Sequence, residues 1–358
     1  MRRVPASAWL RSLAGGAWAR TRGLRGSEPA GVILVYHAIV ERIRDSELEE
    51  YVIGARTFQA HLDYLARHGA VVAASVIAET LREGRAPDPR WVAITLDDGL
   101  LNQTRLGREI LAERKLPWSL AVSPGLLETG RTIWSYQLAH LLLRRWRRPS
   151  IPRPDAGGGA WPTRTREERR TALRGIRTWV FGQALPAECE AYLDRLADMS
   201  RSDDPSPIED GGDVFQMASL RDVDLCVDAG AEILGHGWSH FPLSSRLSPA
   251  CLEREIEGVA CWLRARNPSG PRGFVLPHGI SDPPVLERIR KSFDFCLTST
   301  PARISARTNP AAMPRVSGEY PLGSLRRFIA RLPESSAAPA DAALSPETPS
   351  IPHPDRTP

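Results

Sequence analysis

Short apolar runs alternate with amphipathic stretches along most of this chain. The runs at 31–35 (GVILV), 91–96 (WVAITL), 118–122 (WSLAV), 231–234 (AEIL), 273–276 (GFVL) and 295–298 (FCLT) are rich in Val, Ile, Leu and aromatic residues. Such runs predict short strands buried on both faces, the kind found in parallel sheets. Between them lie helical patterns. Residues 57–69 (TFQAHLDYLARHG) place Phe58, Leu62 and Leu65 on one face and end on Gly69 as a C-cap. Helices are also expected over 101–115, 219–229, 249–266 and 284–292, and residues 71–76 read as a further strand followed by a short helix over 77–82. Strand and helix in strict alternation predict an α/β fold built from βαβ units around a parallel sheet.

The rhythm breaks between 130 and 212. An amphipathic helix (134–148), a Pro/Gly loop (149–162), two helices (167–180 and 186–199) and an acidic, turn-rich stretch (203–212) read as a helical insertion that adds no strand to the sheet. Its Trp134, Trp146 and Trp161 could line a sugar site, although buried packing is the simpler use of such residues. Residues 1–29 are Gly, Ala and Arg rich and read as a peripheral segment, with the barrel spanning 30–332. The Pro, Ala and Ser rich tail, 333–358, has no apolar period and is expected to be disordered.

Composition narrows the class. In 358 residues, 42% hydrophobic and 25% charged content can form one large α/β domain or two ordinary ones. The net charge of +5 rests on Arg, since Lys occurs only at Lys115 and Lys291. It reads as codon bias rather than nucleic-acid binding. The dense run LRRWRR (143–148) is expected to be the solvated end of a helix, so no nucleic-acid partner is expected. Five cysteines without a CxxC pair read as free, mostly buried thiols. No apolar run approaches the roughly 18 residues of a membrane span. Arg11 and Arg20 break up the N-terminal apolar stretch, so a cytoplasmic location is expected.

The chemistry collects at strand ends. The predicted strands finish on Tyr36-His37, on Asp97-Asp98-Gly99, on Gly235-His236-Gly237-Trp238-Ser239-His240 and on Pro277-His278-Gly279. In a barrel those C-terminal ends converge on one opening. Alternation along a strand would point Asp97 and Asp98 to opposite sides, giving them different tasks. The plain alternative is that the two aspartates cap the following helix. His236 and His240, with one carboxylate, make a three-ligand site for a divalent ion with a position left open for water.

These motifs resemble the polysaccharide deacetylases with the NodB homology domain, of the carbohydrate esterase family 4 type. TLDDG is similar to that family's TFDDG, HGWSH to its HxxxH and LPHG to its (Y/F)PxG. The early YH and the FxxHLDYLxxxG helix are similar too, and the resemblance runs from Val32 to Ile329 outside the insertion. It implies a distorted (β/α)7 barrel that hydrolyses the N-acetyl group of an amino sugar. In that reading Asp98, His236 and His240 bind one divalent ion, usually zinc, and Asp97 is the general base. His37 is the general acid, and the backbone amide of His278, after Pro277, helps hold the oxyanion. Leu96, Gly237 and His278 depart from the usual Phe, Ser or Thr, and Tyr, without removing a ligand or the base. The implied partner is an N-acetylated amino-sugar glycan, in a surface polymer or its lipid-linked precursor. The rivals are a hydrolase of the same mechanism acting on another acyl group, and a carbohydrate-binding barrel without turnover.

Overall fold

The computed structural model describes residues 31–45, 48–154, 158–203, 214–268 and 270–335. The N-terminal segment, nearly all of the tail and most of the acidic 203–212 stretch lie outside them.

β1 (Val32–Tyr36) is buried at every position and continues into β2 (Ala38–Val40), which pairs in parallel with β3 (Val52–Gly54) in a small separate sheet. β4 (Ala70–Val71), β5 (Trp91–Leu96) and β6 (Trp118–Val122) follow in the main sheet. β7 (Ser150–Pro152) and β8 (Ala160–Pro162) form an antiparallel hairpin of their own. The main sheet resumes with β9 (Ala231–Gly235), β10 (Gly273–Val275), β11 (Phe295–Leu297) and β12 (Val316–Ser317). Its order is β11-β10-β9-β6-β5-β1-β12, parallel throughout, and β4 pairs with the first half of β5. Leu297 bridges to Met313 in parallel, just before Val316 pairs with Leu34, so one short segment joins both ends of the strand order. The sheet therefore curls on itself with helices outside, as a distorted (β/α)7 barrel.

The core follows from strands without polar alternation. Ile33, Ala93, Ala121, Leu234, Val275, Leu297 and Met313 meet in one buried cluster with Ile77, Ala78 and Leu81 of the helix Ala74–Arg82. Their neighbours along the strands, such as Leu34, Ile94, Leu120 and Phe274, join the larger cluster under the remaining helices. Burying both sets removes nearly all of the strand side chains from water, the dominant stabilising term in such a fold.

Two local expectations are corrected. The run 71–76 is not a strand, because β4 stops at Val71 and a helix begins at Ala74. Its buried residues Ala74, Ile77, Ala78 and Leu81 fall at helical spacing, which outweighs the β-branched Val76. The 149–162 stretch is not a loop but the β7–β8 hairpin, whose Pro152 and Pro162 stand at strand termini, where a missing N–H costs little. In the LRRWRR run, Trp146 is buried and its Nε1 donates to Thr163 Oγ1 at 3.2 Å, so it does not stand exposed between the arginines. Cys189, Cys226 and Cys296 are buried free thiols, whereas Cys261 is exposed. No helix among the described residues is long and apolar enough to cross a membrane.

Candidate active site

The register of β1 against β5 sets the first pair of groups. Tyr36 lies opposite Leu96, and the Asp97 N–H donates to the Tyr36 carbonyl at 2.9 Å, so His37 and Asp97 leave neighbouring strands at the same level. Gln103, fully buried, ties these ends together by donating to the His37 carbonyl at 2.8 Å and also to the Asp97 carbonyl. Neither aspartate caps the next helix. Gln103 Oε1 instead accepts from the Leu100 N–H at 2.8 Å.

Strand alternation does not survive past Asp97. Asp98 has φ 88°, a left-handed backbone rare outside glycine, and Gly99 follows at φ 72°. That turn brings both carboxylates to the same imidazole. Asp98 Oδ1 lies 3.5 Å and Asp97 Oδ2 3.9 Å from His236 Nε2. Sequence periodicity predicted opposite sides; the positive φ overrides it.

His236 follows β9, and its Nδ1–H donates to the Val275 carbonyl at 2.9 Å. A carbonyl can only accept, so this bond places a proton on Nδ1 and turns Nε2 toward Asp98. Ser123, at the end of β6, donates its hydroxyl to the His236 carbonyl at 2.7 Å. The loop beyond is held by Glu255, a buried carboxylate accepting from the Trp238 N–H (2.8 Å), the Ser239 N–H (3.1 Å) and the Ser239 hydroxyl (2.5 Å). His240 closes the loop with φ 55°, and its Nε2 lies 3.1 Å from His236 Nε2 and 3.3 Å from Asp98 Oδ1.

One ligand atom from each of Asp98, His236 and His240 lies within 4.8 Å of the others, and all three residues are buried. Two imidazole nitrogens turned on each other and on a carboxylate suit a divalent cation between them, and this N₂O donor set is one zinc accepts readily. His240 Nδ1 is buried without a hydrogen-bond partner among the described residues. Burial alone would raise the Asp98 pKa, but hydrogen bonds from His236 and His240 outweigh it and hold the carboxyl well below its usual range.

Two ion pairs flank this cluster. Arg315, immediately before β12, is 2% exposed. Its Nη1 donates to Asp97 Oδ1 at 2.7 Å and to Thr95 Oγ1 at 3.2 Å, while its Nε donates to the Thr298 carbonyl at 3.0 Å. Burial pushes Asp97 upward; the charge and hydrogen bond of Arg315, together with His236 and His37, outweigh it, and the net shift is downward. On the other side, Glu319 Oε1 accepts from the His37 backbone N–H at 2.8 Å and from its Nδ1 at 2.7 Å. Burial lowers His37, but the Glu319 charge and hydrogen bond, helped by Asp98 and Asp97, raise it to about 9.

The insertion enters the site directly. In its first helix, Trp134–His140, Tyr136 donates its hydroxyl to Asp98 Oδ2 at 2.7 Å while its ring stacks on Phe215 at 4.0 Å. Trp134 Nε1 donates to His278 Nε2 at 3.1 Å. His278, at φ 56° in the turn Pro277–Gly279, packs its ring against His240 (centroids 4.6 Å), Trp134 (5.3 Å) and Phe181 (5.2 Å). Burial, with the charges of His240 and Arg177, holds His278 well below the usual imidazole range, so it stays neutral. Of the three tryptophans singled out in the sequence, Trp134 alone contacts one of the expected site residues, while Trp146 and Trp161 pack within the insertion.

All seven residues marked in the sequence, His37, Asp97, Asp98, His236, His240, Pro277 and His278, thus gather at the C-terminal ends of the strands. The sequence did not reveal Arg315, Glu319, Glu255, Gln103, Ser123 or Tyr136. Asp97 gave one general hint, since a buried carboxylate needs a cation, but nothing in the sequence pointed to Arg315 as that cation.

No family model and no curated protein matches the chain by sequence. Solved structures match it by fold. The deacetylase PplD of Streptococcus pyogenes, determined in complex with acetate, superposes with a TM-score of 0.53 at 13% identity, over 84% of this chain and 98% of that one. IcaB from Ammonifex degensii gives 0.50 at 17% identity over 85% and 97% of the two chains. A polysaccharide deacetylase from Bacillus cereus gives 0.50 at 14% over 84% and 68%. At these identities the likeness establishes a shared fold, the barrel of polysaccharide deacetylases.

Proposed function

We propose that this chain is a metal-dependent hydrolase that removes N-acetyl groups from amino sugars of a glycan, with residues 30–332 as the catalytic unit. The observation that carries the reading is the buried Asp98–His236–His240 set with a second carboxylate, Asp97, beside it, on a fold shared with polysaccharide deacetylases. A pure binding barrel has no use for a base next to a ligand set. Cytoplasmic residence, expected from the sequence, would make the substrate a glycan precursor.

Amide hydrolysis is slow because water is a weak nucleophile and an amine a poor leaving group. A divalent ion held by Asp98, His236 and His240 supplies Lewis acidity toward water and the amide carbonyl. Asp97, kept ionised by Arg315, accepts the proton of the attacking water. The His278 N–H donates to the oxygen of the tetrahedral intermediate as the carbonyl bond opens. His37, kept protonated by Glu319, donates its proton to the amine nitrogen as the C–N bond breaks. Tyr136 holds the outer oxygen of Asp98, which leaves Oδ1 toward the two imidazoles.

The test is metal content and acetate release together. Purified protein should hold about one divalent ion and release acetate from oligomers of N-acetylglucosamine, and an Asp98→Asn, His236→Ala double variant should lose both. Asp97→Asn should keep the ion and lose about 100- to 10,000-fold in kcat/KM. Protein that takes up no ion after reconstitution with zinc, cobalt or nickel would refute the hydrolase reading and favour a glycan-binding barrel.

A further inference from the structure

The helix Arg166–Gly182 of the insertion carries five arginines against two glutamates. Both glutamates are engaged: Glu167 pairs with Arg170 and Arg174, and Glu168 completes the capping box with Thr165. Arg177 is different. It is half-buried, yet it makes no hydrogen bond or ion pair with any described residue. A partly buried arginine commonly lays its stem on apolar surface and keeps its guanidinium toward water, where it is free to meet an anion.

Its position relates it to the site. Arg177 stands one helical turn before Phe181, on the same face of the helix, and Phe181 sets its ring edge-on against His278 with centroids 5.2 Å apart. The charge of Arg177 is felt at His278 and at Tyr51, whose ring lies 5.2 Å from the His37 ring. Arg177 therefore lies near the site through Phe181, and its charge reaches both His278 and Tyr51. A second guanidinium is close by, since Arg246 Nη2 donates to the Phe181 carbonyl at 2.9 Å. Glu50 and Glu319 share the field at Tyr51, but Glu319 is committed to His37 and Glu50 is exposed.

We propose that Arg177 is a substrate-binding residue for an acidic group, so that the substrate is a glycan in which the N-acetylated amino sugar carries, or is joined to, a carboxylate or phosphate. This inference rests on the deacetylase reading and deepens it. The planar fork of a guanidinium pairs with either anion, and such charge-assisted bonds favour one partner over a neutral analogue strongly when water is partly excluded.

The test is calorimetric binding to zinc-loaded Asp97→Asn protein, which removes turnover from the measurement. Three probes are compared: a neutral hexamer of N-acetylglucosamine, a hexamer alternating N-acetylglucosamine with glucuronate, and N-acetylglucosamine 1-phosphate. At least one acidic probe should bind roughly tenfold tighter than the neutral hexamer. Adding Arg177→Gln should abolish the preference, Arg177→Lys should restore part of it, and Arg164→Gln, elsewhere on the insertion, should leave it intact. Which acidic probe responds identifies the anion as carboxylate or phosphate. Equal affinities for all three probes, a preference that survives Arg177→Gln, or failure of every probe to bind would overturn the inference. Acetate release by the unsubstituted protein from the neutral hexamer, measured in parallel, tests the deacetylase reading by itself.

Discussion

The pairs Asp97–Arg315 and His37–Glu319 have the same composition in outline, one acid and one base, and opposite logic. In the first, the proposed reactive group is the acid, and its partner cation keeps it ionised in a site 2% exposed. In the second, the proposed reactive group is the base, 21% exposed, and its partner anion keeps it protonated. Arg315 and Glu319 flank the two-residue strand β12, so one short segment sets both protonation states. A proton acceptor and a proton donor coexist near neutral pH because their second partners differ in sign, not because the reactive groups differ in burial alone.

Removing the cation should have the largest effect. Arg315→Met leaves Asp97 buried and unpaired and is expected to cost about 3–5 kcal/mol at pH 7, read from the midpoint of urea unfolding. The sign with pH discriminates. In the unsubstituted protein Asp97 titrates below its ordinary value, so its contribution is present above about pH 4 and lost as pH falls through the folded pKa. In Arg315→Met burial dominates, the pKa rises, and the variant should recover stability on going from pH 7 to pH 5. A variant that loses stability on that descent as the parent does would break the asymmetry between the pairs.

Glu319→Gln should act on the other pair with a smaller penalty. His37 would fall from about 9 toward its ordinary range, since burial is then opposed only by the weaker pull of Asp98 and Asp97. The alkaline limb of kcat/KM should move down by about two pH units, with metal content unchanged. Stability follows the same sign. The raised pKa stabilises the folded state below about pH 6.5 and the benefit fades up to about 9, a dependence the Gln variant should lack. An unmoved alkaline limb would assign it to a group other than His37.

The smallest expected effect sharpens the role of the insertion. Tyr136→Phe deletes one hydroxyl from Asp98 Oδ2 and should weaken zinc binding by about tenfold, measured by chelator competition. Unchanged affinity would reduce the Tyr136–Asp98 contact to packing.

What could be read from the sequence and what could not divides along physical lines. TLDDG, HGWSH and LPHG were legible because each is a polar group stopping a buried apolar run, and runs of that kind set the barrel as well. Arg315 and Glu319 were not, because β12 has two residues and follows an irregular stretch without periodic pattern. Glu255 was hidden among the other acids of the helical stretch REIEG, and only the folded loop shows that its carboxylate meets Trp238 and Ser239. The orientation of Asp98 escaped for a different reason: periodicity assumes extended backbone, and φ 88° is a departure no side-chain pattern reports.

That left-handed backbone has a consequence for anyone who evolves this protein for heat resistance. Asp98, His240 and His278 are three of the four non-glycine residues with positive φ among the described residues, and such a conformation costs on the order of 1 kcal/mol each relative to glycine. A selection scored on survival at temperature alone is therefore free to relieve that strain at Asp98 and His240, the proposed metal ligands. The thermostable clones it yields will be enriched in dead ones, so the screen must score turnover alongside survival.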